Sequence, residues 1–129
     1  MTGTVLELDG LAWETWDDPA LAARSPVRWK MVFSARRTPT QALSMGVAEL
    51  APGGVLPLHH HAPAEIYHVL AGTGVVEVDG TPYPVAAGAS VFIPAYARHR
   101  STCTGAVPLR VLFVFPTDSF EEIEYHWDE

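Results

Sequence analysis

Ten glycines and eleven prolines are scattered along the 129 residues, and they divide the chain into apolar runs too short for most helices. Short runs rich in β-branched and aromatic residues, separated by turn residues, are the pattern of an antiparallel all-β domain. Val27 to Phe33 and Ala42 to Leu50 read as strands, the second leading into the turn Ala51-Pro52-Gly53-Gly54. A strand carrying three histidines follows, then Ile66 to Leu70 and Val75 to Val78. Asp79-Gly80 supplies the left-handed residues of a tight hairpin before Thr81 to Ala86, and Ser90 to Ile93 and Leu109 to Phe115 complete the run.

Two departures from strand are expected. Pro19 to Arg24 has the residues of a short helix, with Asp18 as N-cap and Pro19 in the first helical position. Asp118 followed three positions later by Glu121 suggests a capping box, and the tail Ile123 to Trp127 is placed to fold back across the barrel.

The length fits one domain spanning residues 1–129, with no internal repeat and no low-complexity linker. A hydrophobic fraction of 48% is rich for so small a surface, which suggests a homodimer. Fifteen acidic against eight basic residues give a net charge of −7, which leaves a nucleic-acid surface no electrostatic footprint. Cys103 is the single cysteine, so no internal disulfide can form. The N-terminal stretch lacks the basic and apolar regions of a signal peptide, and no run approaches the ~20 apolar residues of a membrane span. The expected location is therefore cytoplasmic.

His59 and His61 are two apart, so on a strand both project to one side while His60 projects to the other. Glu65 can add a carboxylate from beyond the turn Ala62-Pro63-Ala64, and His99 arrives from a distant segment. Such a set would leave two open positions on an octahedral ion. Mixed imidazole and carboxylate donors suit Mn, Fe(II), Ni, Co or Zn without selecting among them. An HHH tripeptide alone is more often a solvent-facing cluster than a site. Tyr67, two residues past Glu65, points to the ligand face of a continuing strand. It serves there either as a general base or as a barrel-lining aromatic with its hydroxyl bonded.

The long spacing separates the histidine readings. Gly53, five residues, His59, one, His61, three, Glu65, six, Gly72 is followed by Gly88, five residues, Pro94, four, His99. These spacings resemble the two motifs of the cupin superfamily over their full length, which implies a jelly-roll β-barrel with its metal-binding core at about residues 42–116. Tyr96 stands where the second motif usually has Gly, and Cys103 where it usually has Asn. Neither is a ligand position in the family, so local turn geometry is what they affect. Cys103, His60, His68 and His126 are read as structural or surface residues.

A narrower resemblance, carried by VRWKMVF, MGVAELAPGG, LHHHAPAEIYHVLAGTG and VFPTDSFEEIEYHW, is to the small cupin lyases that cleave dimethylsulfoniopropionate to dimethyl sulfide and acrylate. It implies metal ligation by His59, His61, Glu65 and His99, a base at Tyr67, and a pocket tyrosine at Tyr125. The substrate carboxylate would take the open metal positions, and the faces of Trp29 and Tyr125 would hold the cationic sulfur. Other chemistries on the same ligands are an Fe(II) dioxygenase, a biosynthetic cupin that forms nitrogen–nitrogen bonds from amino-acid-derived substrates, and a non-catalytic module binding a small carboxylate.

Overall fold

The computed structural model describes residues 2–128, so Met1 and Glu129, the ends of the expected domain, lie outside the described residues. Among the described residues, strands β1 (Val27–Phe33), β2 (Ser44–Leu50), β9 (Leu109–Phe115), β4 (Glu65–Ala71) and β7 (Ser90–Ile93) form one antiparallel sheet in that spatial order. The second sheet runs β10 (His126–Trp127), β3 (Val55–His60), β8 (His99–Cys103), β5 (Thr73–Val78) and β6 (Thr81–Ala86). The two make a cupin-like β-sandwich. Alternation along each strand turns one side inward: β9 alternates between buried and half-buried residues along its whole length.

The register aligns the inward side chains in rows. Tyr67, Phe113, Gly46 and Met31 form one row across β4, β9, β2 and β1, and Val69, Val111, Ala48 and Trp29 form the next. On the opposite sheet His59 pairs with His99, and Leu56 with Ser101 one row away. Small residues on β2 leave room for large ones beside them. A Cβ on Gly46 would stand 2.9 Å from Cε1 of Phe113 and 2.8 Å from the Lys30 carbonyl oxygen.

The short helix α1 spans Pro19–Arg24, and Asp18 caps it by accepting from the Ala20 N–H at 3.0 Å. Asp79 and Gly80 both take positive φ, 47° and 84°, as their hairpin requires. Tyr96 resolves the turn question, because it adopts φ 64° in the position where the second motif usually has Gly, and its N–H donates to the His61 carbonyl at 2.9 Å. The expected capping box does not form. The residue preceding the 3₁₀ turn Phe120–Glu122 is Ser119, which makes no side-chain cap. Asp118 instead accepts from the Ala42 N–H, and Glu121 accepts from Ser34 and Arg37, partners that lie far away in sequence. The tail does fold back: Trp127 pairs with His59 and His126 with His60.

Candidate metal centre

β3 and β8 set the site. Their register places His59 beside His99, with ring centroids 4.0 Å apart, and His61 follows one residue past the end of β3, 4.9 Å from the His99 ring. All three rings are buried, and one ring nitrogen from each lies within 4.8 Å of the others. Each Nδ1 meets a main-chain carbonyl two residues away: His59 that of Pro57 at 2.7 Å, His61 that of Pro63 at 2.9 Å and His99 that of Ala97 at 2.9 Å. A carbonyl only accepts, so each Nδ1 carries a proton, and in a neutral ring that leaves Nε2 with its lone pair. Burial, and then the neighbouring His99, hold the His59 imidazole down to about 2, so this ring is neutral at ordinary pH.

Glu65, at the start of β4 and 4% exposed, brings Oε1 to 3.2 Å from His61 Nε2 and 3.4 Å from His99 Nε2. In neutral rings with the proton on Nδ1, these contacts set lone pair against lone pair. His99 Nε2 is buried and has no hydrogen-bond partner. Converging acceptors without a donor are costly unless a cation lies between them. The three histidines can thus hold a metal ion, and the carbonyl-fixed tautomers are the outer contacts that ligating imidazoles require.

Next to this cluster is a partly open space of about 60 Å³ lined by Glu65, Tyr67, Ser101, Trp29, Tyr125 and mostly apolar neighbours. It has room for a handful of waters or one small molecule. Tyr67 is 6% exposed and sets its ring edge-on toward His99 at 6.3 Å. Burial, then the charge of Glu65 and Tyr125, push its hydroxyl well above the usual tyrosine value; nearby Ser101 opposes this without completing hydrogen-bond geometry in the structure. Tyr125 stacks on His59 at 5.2 Å and 19° and meets His61 edge-on at 5.2 Å, and burial and Glu65 raise its hydroxyl in the same way.

The structure therefore brings His59, His61, His99, Glu65, Tyr67, Tyr125 and Trp29 to one place. Cys103 is buried with Sγ directed to the Val107 carbonyl, His60 bonds Asp128, and His68 bonds Ser90. Trp16 and Ser101 also belong to the site, although no motif marks them in the sequence. Trp16 packs 4.8 Å from Trp29 and edge-on to Tyr125 and Trp127, each at 5.4 Å. It is held there by a bridge between Glu14 and Trp29 and by Arg37, which joins Glu14 to Glu121. Two tryptophans three apart were a signal of burial, but no strand periodicity gave that segment a position.

The cupin domain family (Cupin_2) matches residues 46–115, just over half the chain. The chain is a cupin. It is 38% identical over 101 residues to dimethylsulfoniopropionate lyase DddW of Ruegeria pomeroyi, an alignment covering 78% of this cupin and 66% of that protein. The chain thus spans slightly less than two thirds of that relative's length. Among solved structures, the polyketide cyclase RemF of Streptomyces resistomycificus superposes with a TM-score of 0.80 at 16% identity, over 99% of this cupin and 87% of RemF. A chain from the crystal structures of the DMSP lyases RdDddP and RnDddQII superposes at 0.74 and 20% identity, over 92% and 63% of the respective chains. Both likenesses speak to the fold alone.

Proposed function

We propose that this cupin is a metal-dependent lyase that performs β-elimination on dimethylsulfoniopropionate or a similar small carboxylate. The observation that carries the reading is the placement of Tyr67, buried in one cavity with Glu65 and edge-on to His99. The likeness to DddW supports it. His59, His61, His99 and Glu65 would hold one divalent transition metal, with Mn, Fe(II), Ni, Co and Zn all compatible with the donors. When bound, the ion acts as a Lewis acid toward the substrate carboxylate and the charge that develops beside it.

Tyr67 Oη, once deprotonated, takes the proton from the carbon next to the carboxylate. The C–H pair becomes the new C=C bond, and the neighbouring C–S bond breaks with its electrons leaving on sulfur. Because burial and Glu65 keep Tyr67 protonated in the metal-free chain, its base form depends on positive charge in the loaded site. The faces of Trp29 and Tyr125 hold the sulfonium by cation–π attraction of roughly 0.5 to 2 kcal/mol. Trp16, and Tyr125 of the folded-back tail, form part of the cavity wall.

The test is dimethyl sulfide release from dimethylsulfoniopropionate by protein reconstituted separately with Mn, Fe(II), Ni and Zn, beside Tyr67→Phe. Release that needs both metal and Tyr67 is expected. Release by Tyr67→Phe at the wild-type rate would remove the tyrosine from the reaction, and no release with any metal would reject this substrate.

The same reading takes the chain as one domain over residues 1–129 acting in the cytoplasm; among the described residues no helix is long and apolar enough to cross a membrane. It also takes the protein as a homodimer. Phe33, Met45, Val114, Ile66 and Phe92 form an outward apolar row across all five strands of the first sheet, with Phe92 64% exposed. A mass near twice that of the chain by light scattering is expected, and a drop to the single-chain mass in Phe92→Asp.

A further inference from the structure

Four aromatic side chains that line the cavity close into a circle of contacts. Trp16 meets Trp29 at 4.8 Å, Trp29 meets Phe120 at 6.0 Å, Phe120 meets Tyr125 at 6.1 Å, and Tyr125 returns to Trp16 at 5.4 Å. Of the four, Trp29 alone belongs to a strand, β1. Trp16 lies in the segment before α1, Phe120 opens the 3₁₀ turn, and Tyr125 directly precedes β10. The main chain beside Trp16 is tied to β1 by one isolated bridge, in which Glu14 and Trp29 exchange hydrogen bonds of 2.7 and 3.0 Å. Most of this wall therefore rests on segments that the two sheets hold lightly.

Arg37, on the loop that follows β1, reaches two of those segments at once. Its Nη1 donates to Glu14, two residues before Trp16, and its Nε donates at 2.9 Å to Glu121, the neighbour of Phe120. Ser34 on the same loop fixes the turn further, accepting from the Phe120 N–H at 3.0 Å and donating to Glu121 at 2.9 Å. A planar guanidinium carries its donors in a rigid fork, which suits it to joining two carboxylates. Arg37 itself is not among the residues that line the cavity.

We infer that Arg37 is a positioning residue for substrate binding, which sets the spacing of the aromatic circle by holding Trp16 and Phe120 from outside the cavity. This rests on the reading that the cavity is the substrate site. A sulfonium gains from a ring face only within about 6 Å of its centroid, so the attraction falls when a ring drifts outward. The reacting end is held independently, since Glu65 and Tyr67 belong to β4 and His99 to β8. Loss of Arg37 should therefore weaken substrate binding without slowing the chemical step, which appears as a higher KM at constant kcat.

The experiment compares wild type, Arg37→Met, Glu14→Gln and the double variant by two readouts. The first is far-ultraviolet circular dichroism without added metal: Trp16 and Trp29, inclined at 58°, form an exciton pair whose couplet reports their spacing. The second is steady-state dimethyl sulfide release by protein loaded with a metal that supports it. Arg37→Met should weaken the couplet and raise KM about two- to fivefold, the size of one exposed ion pair, with kcat unchanged. Glu14→Gln should act in the same direction, and the double variant should be no worse than Arg37→Met, because both changes remove one shared contact. An unchanged couplet in Arg37→Met would overturn the inference whether or not dimethyl sulfide is released. A lower kcat at unchanged KM would also overturn it, since it would mean that Arg37 serves only the fold. No release by the wild type with any metal would reject the proposed reaction, and the couplet alone would then decide whether Arg37 positions the wall.

Discussion

Gly46→Ala should damage this protein, although a Gly to Ala change in a strand ordinarily stabilises by about 0.4 to 1 kcal/mol through the unfolded chain. The added Cβ would lie 2.9 Å from Phe113 Cε1 and 2.8 Å from the Lys30 carbonyl oxygen. Carbon atoms prefer about 3.5 to 4.0 Å, so the Phe113 contact is short by at least about 0.6 Å, and Phe113 Cζ is closer still. The carbonyl belongs to β1, whose register with β2 fixes it, so the phenyl ring has to move. Phe115 and Phe120 stand 5.9 and 6.0 Å from that ring, which leaves the cavity as its outlet. Overpacking of this kind costs typically about 1 to 3 kcal/mol. Set against the entropic gain, a net loss of about 1 to 2 kcal/mol is expected, or roughly 3 to 8 °C in Tm for a chain of this size. Because the ring retreats into a space of about 60 Å³, KM should rise several-fold in dimethyl sulfide release assays. Calorimetry and steady-state kinetics on one preparation test both arms. A Gly46→Ala protein with wild-type Tm and wild-type KM would show that Phe113 does not define the cavity, and the argument would fail.

Tyr96→Gly should raise stability by about 0.5 to 1 kcal/mol, since φ 64° strains an L residue by more than glycine's extra unfolded freedom costs; Tyr96→Ala, which keeps the strain, should show no gain in a urea titration. Saturating metal should raise Tm: at a free concentration of 100 Kd the stabilisation is about 2.7 kcal/mol, and it should vanish with chelator or in His99→Ala. Burial opposes ionisation of Glu121, but its own N–H, Ser34 and Arg37 outweigh this and hold the carboxyl below its usual value. Its stabilising effect is therefore present above the unfolded carboxylate value of about 4.3 and lost as pH falls through the lower folded value. Glu121→Gln should cost more stability at pH 6 than at pH 3 in matched denaturant titrations.

The strands with apolar alternation were legible because one buried side leaves a period of two, as in Leu109 to Phe115. β8 was not: His-Arg-Ser-Thr-Cys is polar at every position but the last, because its inward side carries a candidate ligand and a cavity hydroxyl in place of core residues. The histidine and glutamate positions were readable from spacing, since a motif fixes where in the chain the side chains occur. Their tautomers were not, because these depend on carbonyls whose direction only the folded backbone sets. The Asp118 and Glu121 pattern misled for a related reason. A capping box is a local bargain, and both carboxylates found stronger partners in Ala42, Ser34 and Arg37 across the chain. Trp16 and Ser101 were hidden because each acquires its meaning from a neighbour on another strand.

The three imidazoles are aimed by main-chain oxygens, two of them from prolines. A carbonyl belongs to every residue type, so these aiming contacts cannot be deleted by any single exchange of a side chain at positions 57, 63 or 97. Selection acting on the cavity walls can replace aromatic, hydroxyl and aliphatic groups while the histidines keep their orientation. The grip on the ion and the choice of substrate are thereby separated into different parts of the chain's chemistry, and a lineage built this way is free to change its reaction without rebuilding its centre.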